Sequence, residues 1–390
     1  MHLKYLNKIF AIEPLFPSNL AGSVLYSSAL YITLSYFHLG ELYSHIVLSE
    51  KNKLQLLNTS HAIFNYALCC VSLLVPLVYR THLSLIEVKM QQIDSMFDAA
   101  VSFYDVKPVK QRRKLGVDLG GSGEGAHSLR SELIFSLCMS LNLVVSYFCS
   151  NFTDSLLLTL WNTSVSWLQV FYMGVQLSFI GDTLRRLNLC LGHLRLYPRL
   201  MKYMEPGPKI GQERPQCYPA LYLTTMSTLN TIHHLIYRVS HHFNSYFGLI
   251  ILLQVPRALF FTVLPLYVLL IDVIILRNVD VYAILCHARH LVHFIAPLVY
   301  ITRKCSVTEK QSEAVIRSIY DLLEDQQDKS HIANELVSFS FYLTNRKIEF
   351  NMCHVFKINT SLLVNITEFI LTYLLVFVQF TEVPTTKTQE

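Results

Sequence analysis

Charge is scarce in this chain. Its 390 residues carry 15% charged side chains against 52% hydrophobic ones, where a soluble domain averages about 25% charged. A chain so poor in charge keeps much of its surface away from water. Other absences narrow the chemistry. No apolar core with a small-residue cleavage site occupies residues 1–17, so we expect the first apolar stretch to act as its own insertion signal. No CxxC pair and no Cys/His cluster at zinc spacing occurs among the nine cysteines, so we expect reduced, packing cysteines and no metal site. The tract His233, His234, His241 and His242 reads as a wet helix face near the inner membrane surface. The glycine-rich segment 116–128 lacks the preceding strand and terminal Lys-Ser or Lys-Thr of a phosphate loop and reads as a flexible linker. The basic cluster before it (Lys110, Arg112, Arg113, Lys114) reads as a solvated charge run or as a contact for anionic lipid. Nothing points to a catalytic group, a cofactor or nucleic acid.

What is present is a set of long apolar runs. A membrane-crossing helix needs about 20 mainly apolar residues. Seven stretches qualify: 18–40, 54–79, 133–153, 155–181, 239–271 (broken by Arg257), 281–302 (with Arg289) and 358–381 (with Glu368). The connections on one side of these spans hold twenty-six Lys and Arg, those on the other side four. Lys and Arg accumulate on the cytoplasmic side. The expected fold is therefore all-α with seven transmembrane helices, the N-terminus (1–17) cytoplasmic and the tail (382–390) extracellular. Cytoplasmic loops fall at 80–132 and 182–238, and a cytoplasmic segment at 303–357. Sequons at Asn58 and Asn151 lie on the expected outer loops. This polarity is opposite to that of G-protein-coupled receptors. The chain also lacks an Asp-Arg-Tyr triplet after the third span, an Asn-Pro-x-x-Tyr in the seventh, and the internal repeat of many transporters.

In the cytoplasmic segment, Val315, Ile316, Ile319, Leu322 and Leu323 recur at helical spacing, as do Ile332, Leu336 and Phe339. This amphipathic helix pair must cover its apolar stripe with helices of the same chain or of other subunits.

The last span ends Thr372-Tyr373, five apolar residues, then Gln379-Phe380. Upstream stand Phe350, Cys353, Phe356, Asn359 and Ser361-Leu362. This arrangement resembles the signature of insect gustatory receptors, relatives of the odorant receptors, in the same place at the end of the seventh span. The resemblance is close over residues 340–380 and elsewhere extends only to layout. It implies a tastant-gated, non-selective cation channel of four identical subunits, in the plasma membrane of sensory neurons and their dendrites. The seventh helix (358–381) would line the pore and the segment 303–357 would form a shared anchor. Its partners would be a small-molecule tastant, the bilayer, further copies of the chain and related receptor subunits. Gln379, Phe380, Phe377 and Val376 become the pore and gate, with Glu382 at the outer mouth. Thr372 and Tyr373 become the pair that couples the seventh helix to its neighbours.

A charge inside a membrane usually has a partner, and we expect Glu368 to pair with Arg257 or else with Arg289. The alternative is that the arginines snorkel or line a wet cavity. For the ligand pocket the candidates are Trp161, Trp167, Tyr172 and Arg289, because aromatic walls suit an apolar or amphipathic ligand. Sugar-sensing members of the family carry Glu after the Thr-Tyr pair. Leu374 stands there, which favours bitter compounds or contact pheromones. The rival expectations are a metabotropic seven-helix receptor, a transporter, or a channel subunit with no ligand of its own.

Overall fold

The structure is a computed structural model. It describes residues 78–104, 132–142, 144–145, 156–204, 217–271, 281–325 and 330–379, with isolated positions at Ala29, Ala67, Val71 and Val75. The spans expected at 18–40 and 54–79, the linker 116–128, both sequons, Phe380 and Glu382 lie wholly or almost wholly outside the described residues.

The elements in chain order are α1 (Arg80–Tyr104), α2 (Glu132–Asn142), α3 (Leu156–Met204), α4 (Cys217–Leu270), α5 (Val281–Asp325), α6 (Ser330–Asn345), a two-residue hairpin of β1 (Asn351–Met352) and β2 (Phe356–Lys357), and α7 (Thr360–Gln379). Three of the described helices are long and apolar enough to cross a membrane, α4 and α7 with mean hydropathy 2.0 and α5 with 1.4.

The helices do not stop where the apolar stretches stop. α3, α4 and α5 run for 49, 54 and 45 residues, each joining an apolar half to a polar one. α3 packs along α5, α4 lies against α1 and α5, and α6 folds back onto α5. The polar halves share one apolar core, where Ile86 and Ile93 of α1 meet Leu184 and Leu191 of α3, Leu229 and Ile232 of α4, Val315, Ile319 and Leu322 of α5, and Leu336 and Leu343 of α6. Most of the amphipathic stripe predicted over residues 315–339 is thus buried inside the chain itself, with Ile316 and Leu323 half-buried at its margin. Exposed ion pairs lie at its edge: Arg195 reaches Asp325 at 2.6 Å and Asp321 at 3.0 Å.

The histidine tract departs from expectation. His233 is buried, with its ring edge-on to Phe339 and Tyr342. His242 is buried too and meets His82 of α1 at 3.0 Å. Of this tract only His241 is exposed, and His234 bonds Tyr342 and Arg346 of α6. Period alone placed these residues on one face; the return of α1 and α6 against that face buries it.

Candidate functional site

Two places carry the polar groups that an apolar bundle would otherwise exclude. The first is a buried cluster among α2, α3, α4 and α5. Arg257 of α4 is 4% exposed. Its Nη1 donates to Ser166 Oγ of α3 at 3.3 Å, its Nη2 lies 3.3 Å from His293 Nε2 of α5, and its guanidinium stands 4.9 Å over the Phe294 ring. Trp167, with no exposed surface, donates its indole N–H to His293 Nδ1 at 2.9 Å. Asn142 Nδ2 lies 3.2 Å from the same nitrogen. Phe135 stacks on Trp167 at 4.9 Å and on Tyr300 at 4.0 Å, closing the cluster from the side of α2.

Donors converge on the two ring nitrogens of His293. A neutral imidazole has one acceptor nitrogen. Trp167 and Arg257 approach the two different nitrogens of His293, so in either tautomer one of these donors faces an N–H, and protonation makes both nitrogens donors. Arg257 Nε finds no partner among the described residues. That N–H suits a group bearing an acceptor oxygen, and the walls around it are aromatic. Two prolines weaken the surrounding backbone: Pro256 adjoins Arg257, and Pro297 removes the helical donor for the carbonyl of His293 one turn earlier. Sequence reasoning singled out Arg257 and Trp167 but passed over His293, Asn142 and Ser166. The available signal was a histidine on an apolar span one turn before a proline.

The expected ion pair does not form within the chain. Arg257 is committed to Ser166, His293 and Phe294. Arg289 turns to its neighbour His290 at 2.8 Å. Glu368 is exposed, and its carboxylate meets no basic group among the described residues, while its main-chain carbonyl accepts from Thr372 Oγ1 at 2.8 Å. The physical reason is one of facing. Glu368 lies on the side of α7 that points away from α4 and α5, whereas Arg257 points inward to α3. Among the remaining pocket candidates, Tyr172 is buried edge-on to Phe247 at 5.9 Å. Trp161 sits in the first turns of α3, and its side chain lies outside the described residues.

The second place is α7. One stripe of this helix (Leu363, Ile366, Thr367, Ile370) packs on Ala258 and Thr262 of α4 and on Ile295, Leu298 and Val299 of α5, around a cavity of about 90 Å³. Ligand pockets usually measure about 300–1,000 Å³, so this gap suits small apolar groups only. Phe377 meets Tyr267 of α4 at 5.4 Å on the packing side, while Val376 and Gln379 project on other sides; all three are exposed. Tyr373 is exposed and stacks on Phe369 of its own helix at 4.3 Å. Within one chain, then, neither residue of the Thr372–Tyr373 pair makes a bond to another helix among the described contacts.

The segment before α7 explains the upstream motif. Phe350 is fully buried and edge-on to Phe243 of α4 at 5.5 Å. Its N–H donates to Glu309 of α5 at 3.2 Å, whose carboxyl is pushed up by burial. Asn244 of α4 binds both sides of the segment, donating to Glu349 O at 2.8 Å and accepting from Asn351 N at 3.3 Å. The hairpin turns through Cys353 and His354, with φ of 50° and 61°. It lies so close to α4 that a Cβ on Gly248 would stand 2.9 Å from Cys353 N. Asn359 then caps α7, its Oδ1 accepting from Leu362 N at 3.2 Å. The motif is a clamp that fixes the base of α7 to α4 and α5. Phe356 is exposed on the hairpin's far side.

A bundle of this design is found among solved receptors. The chain shares its fold with the insect olfactory receptor OR5 from Machilis hrabei, at 12% identity, TM-score 0.58, and coverage of 97% of this chain and 98% of the other. The same receptor in complex with eugenol matches at 12% identity, TM-score 0.61, and coverage of 97% and 99%. No curated protein sequence matches the chain. The family model described as 7tm chemosensory receptor matches residues 119–383, more than half of the 390 residues. The chain therefore belongs to the 7tm chemosensory receptor family, as a multi-pass membrane receptor and not an enzyme.

Proposed function

We propose that this receptor is a tastant-gated cation channel of chemosensory neurons, made of four copies around an axis lined by α7, with its N-terminus in the cytoplasm. The observation that carries the reading is the facing of α7. The helix is fastened to its own chain by one stripe, and almost everything else on it is exposed, Leu371, Leu375 and Val376 among them. Lipid satisfies the apolar flanks. The side opposite the packing stripe carries polar residues up to Gln379, and those are satisfied by water in a pore. Gln379 and the following Phe380 then serve as the outer constriction, which blocks ions by excluding water.

Sensing belongs to the cluster around Arg257 and His293, where a ligand's oxygen answers the Arg257 Nε–H and Trp167, Phe135 and Phe294 supply apolar contact. Leu374 in place of a glutamate favours bitter compounds or contact pheromones over sugars. The relative solved with eugenol accommodates a small amphipathic phenol, a ligand type consistent with such walls.

The test is whole-cell recording from cells expressing the full chain under a panel of plant bitter compounds, phenols and long-chain esters, with GDP-β-S in the pipette. The expected result is a compound-evoked cation current that survives the nucleotide. A response that GDP-β-S abolishes, or an N-terminal tag reached by external antibody, overturns the reading.

A further inference from the structure

On the side of α7 opposite its packing stripe, five residues at steps of three, four or seven carry polar groups: Ser361, Asn365, Glu368, Thr372 and Gln379. At 100° per residue these five lie within about 40° of a common direction, and Leu363, Ile366, Ile370 and Phe377 lie on the reverse. All five are exposed. Leu375, at the edge of the same side, is the apolar member of the line. Glu368 is the only charged residue of the helix, and it sits roughly 16 Å from Gln379 along the axis. A carboxylate at that depth is costly against lipid. In its own chain it has no basic partner among the described residues, because Arg257 and Arg289 turn elsewhere.

We infer that Glu368 is the cation-selecting residue of the conduction path: its carboxylate and those of three further copies face one another across the axis and form a cation site that favours divalent ions. The inference rests on the reading of α7 as pore lining and adds to it the residue that sets ionic charge preference. Asn365 and Thr372 flank the ring one turn to either side and supply further oxygens. Several converging carboxylates are the ligand set hard divalent cations prefer, and a ring of acids draws cations into a pore. Gln379, an uncharged amide, leaves the outer constriction without charge preference, so the charge selection falls to Glu368.

Two ligand-free measurements test this. In membranes from cells expressing the full chain, Glu368→Cys, Thr372→Cys and Gln379→Cys are treated with bis-methanethiosulfonate reagents of graded length, with Leu371→Cys and the native chain as background. The expectation is chain dimers several-fold above background at all three stripe positions. Linkage at Thr372 and Gln379 but not at Glu368 overturns the ring and leaves the pore reading standing; linkage at none overturns both. If Glu368→Cys fails to reach the surface, Asn365→Cys and Thr372→Cys bracket it: linkage at both supports the ring, and failure to link at either overturns it. In the second measurement, the purified oligomer in detergent is melted with and without millimolar BaCl2. The midpoint rises in the native protein, in Glu368→Asp and in the cytoplasmic control Glu313→Gln, and the rise is lost in Glu368→Gln. An equal rise in Glu368→Gln overturns the cation site.

Discussion

The hairpin clamp is open to a measurement that isolates one contact. Replacing Gly248 by Ala adds a single methyl group inside α4. In a helix interior the exchange by itself stabilises by about 1 kcal/mol, because alanine has less backbone freedom to lose. At Gly248, however, the new Cβ stands 2.9 Å from Cys353 N and 3.5 Å from Asn351 O. Those are main-chain atoms and cannot swing aside as a side chain can. Ordinary contact requires the hairpin to retreat by about half an ångström, and overpacking of this kind costs about 1–3 kcal/mol. Gly192 of α3 supplies the reference, since a Cβ there meets nothing within 4 Å. Gly192→Ala should therefore raise the melting midpoint of the detergent-solubilised receptor, and Gly248→Ala should leave it unchanged or lower it. The free-energy gap between the two variants should be about 1–3 kcal/mol. Hydrogen exchange should localise the difference to the amides of 350–358, where Ile358 N–H otherwise bonds Phe350 O at 2.8 Å. A Gly248→Ala midpoint as high as that of Gly192→Ala would refute the tight seat of the hairpin on α4.

Three further outcomes follow from contacts of the same kind. Gly174→Ala should destabilise more than Gly248→Ala, because the new Cβ overlaps the ring of Tyr300, which Phe135 holds by stacking at 4.0 Å; adding Tyr300→Leu should restore the midpoint. Asn359→Ala removes the cap of α7 and should cost about 1 kcal/mol, with Asn359→Ser near native; the exchange rate of the Leu362 amide reads it directly. Asp321→Asn and Asp325→Asn should each move the midpoint little, since exposed ion pairs such as those of Arg195 are screened by solvent and contribute little to stability.

Periodicity encodes some of this structure and is silent on the rest. The apolar repeats at 315–323 and 332–339 specify burial, and the structure buries all of their members but Ile316 and Leu323, which are half-buried. Arg257 was also legible, because a charge in an apolar span requires a reason. Its partners were not. Periodicity along one helix carries no information on which side of a neighbouring helix comes opposite, so Glu368 was the natural guess and His293, Ser166 and Phe294 are the finding. The histidine tract failed for the same reason: a polar-looking face became interior once α1 and α6 were laid upon it. Helix length was missed differently. Hydropathy ends each span where apolar residues end, but the hydrogen-bonded backbone of α3, α4 and α5 continues through the polar sequence because the shared core below rewards it.

Those uninterrupted helices have a mechanical consequence. A rod of 54 residues is about 80 Å long, well over twice the roughly 30 Å of bilayer hydrocarbon. Tilting it about its centre by about 3° displaces each end by about 2 Å. A substitution deep in the polar half therefore moves the apolar half of the same helix as well. The polar and apolar ends of α4 are in this way one mechanical unit.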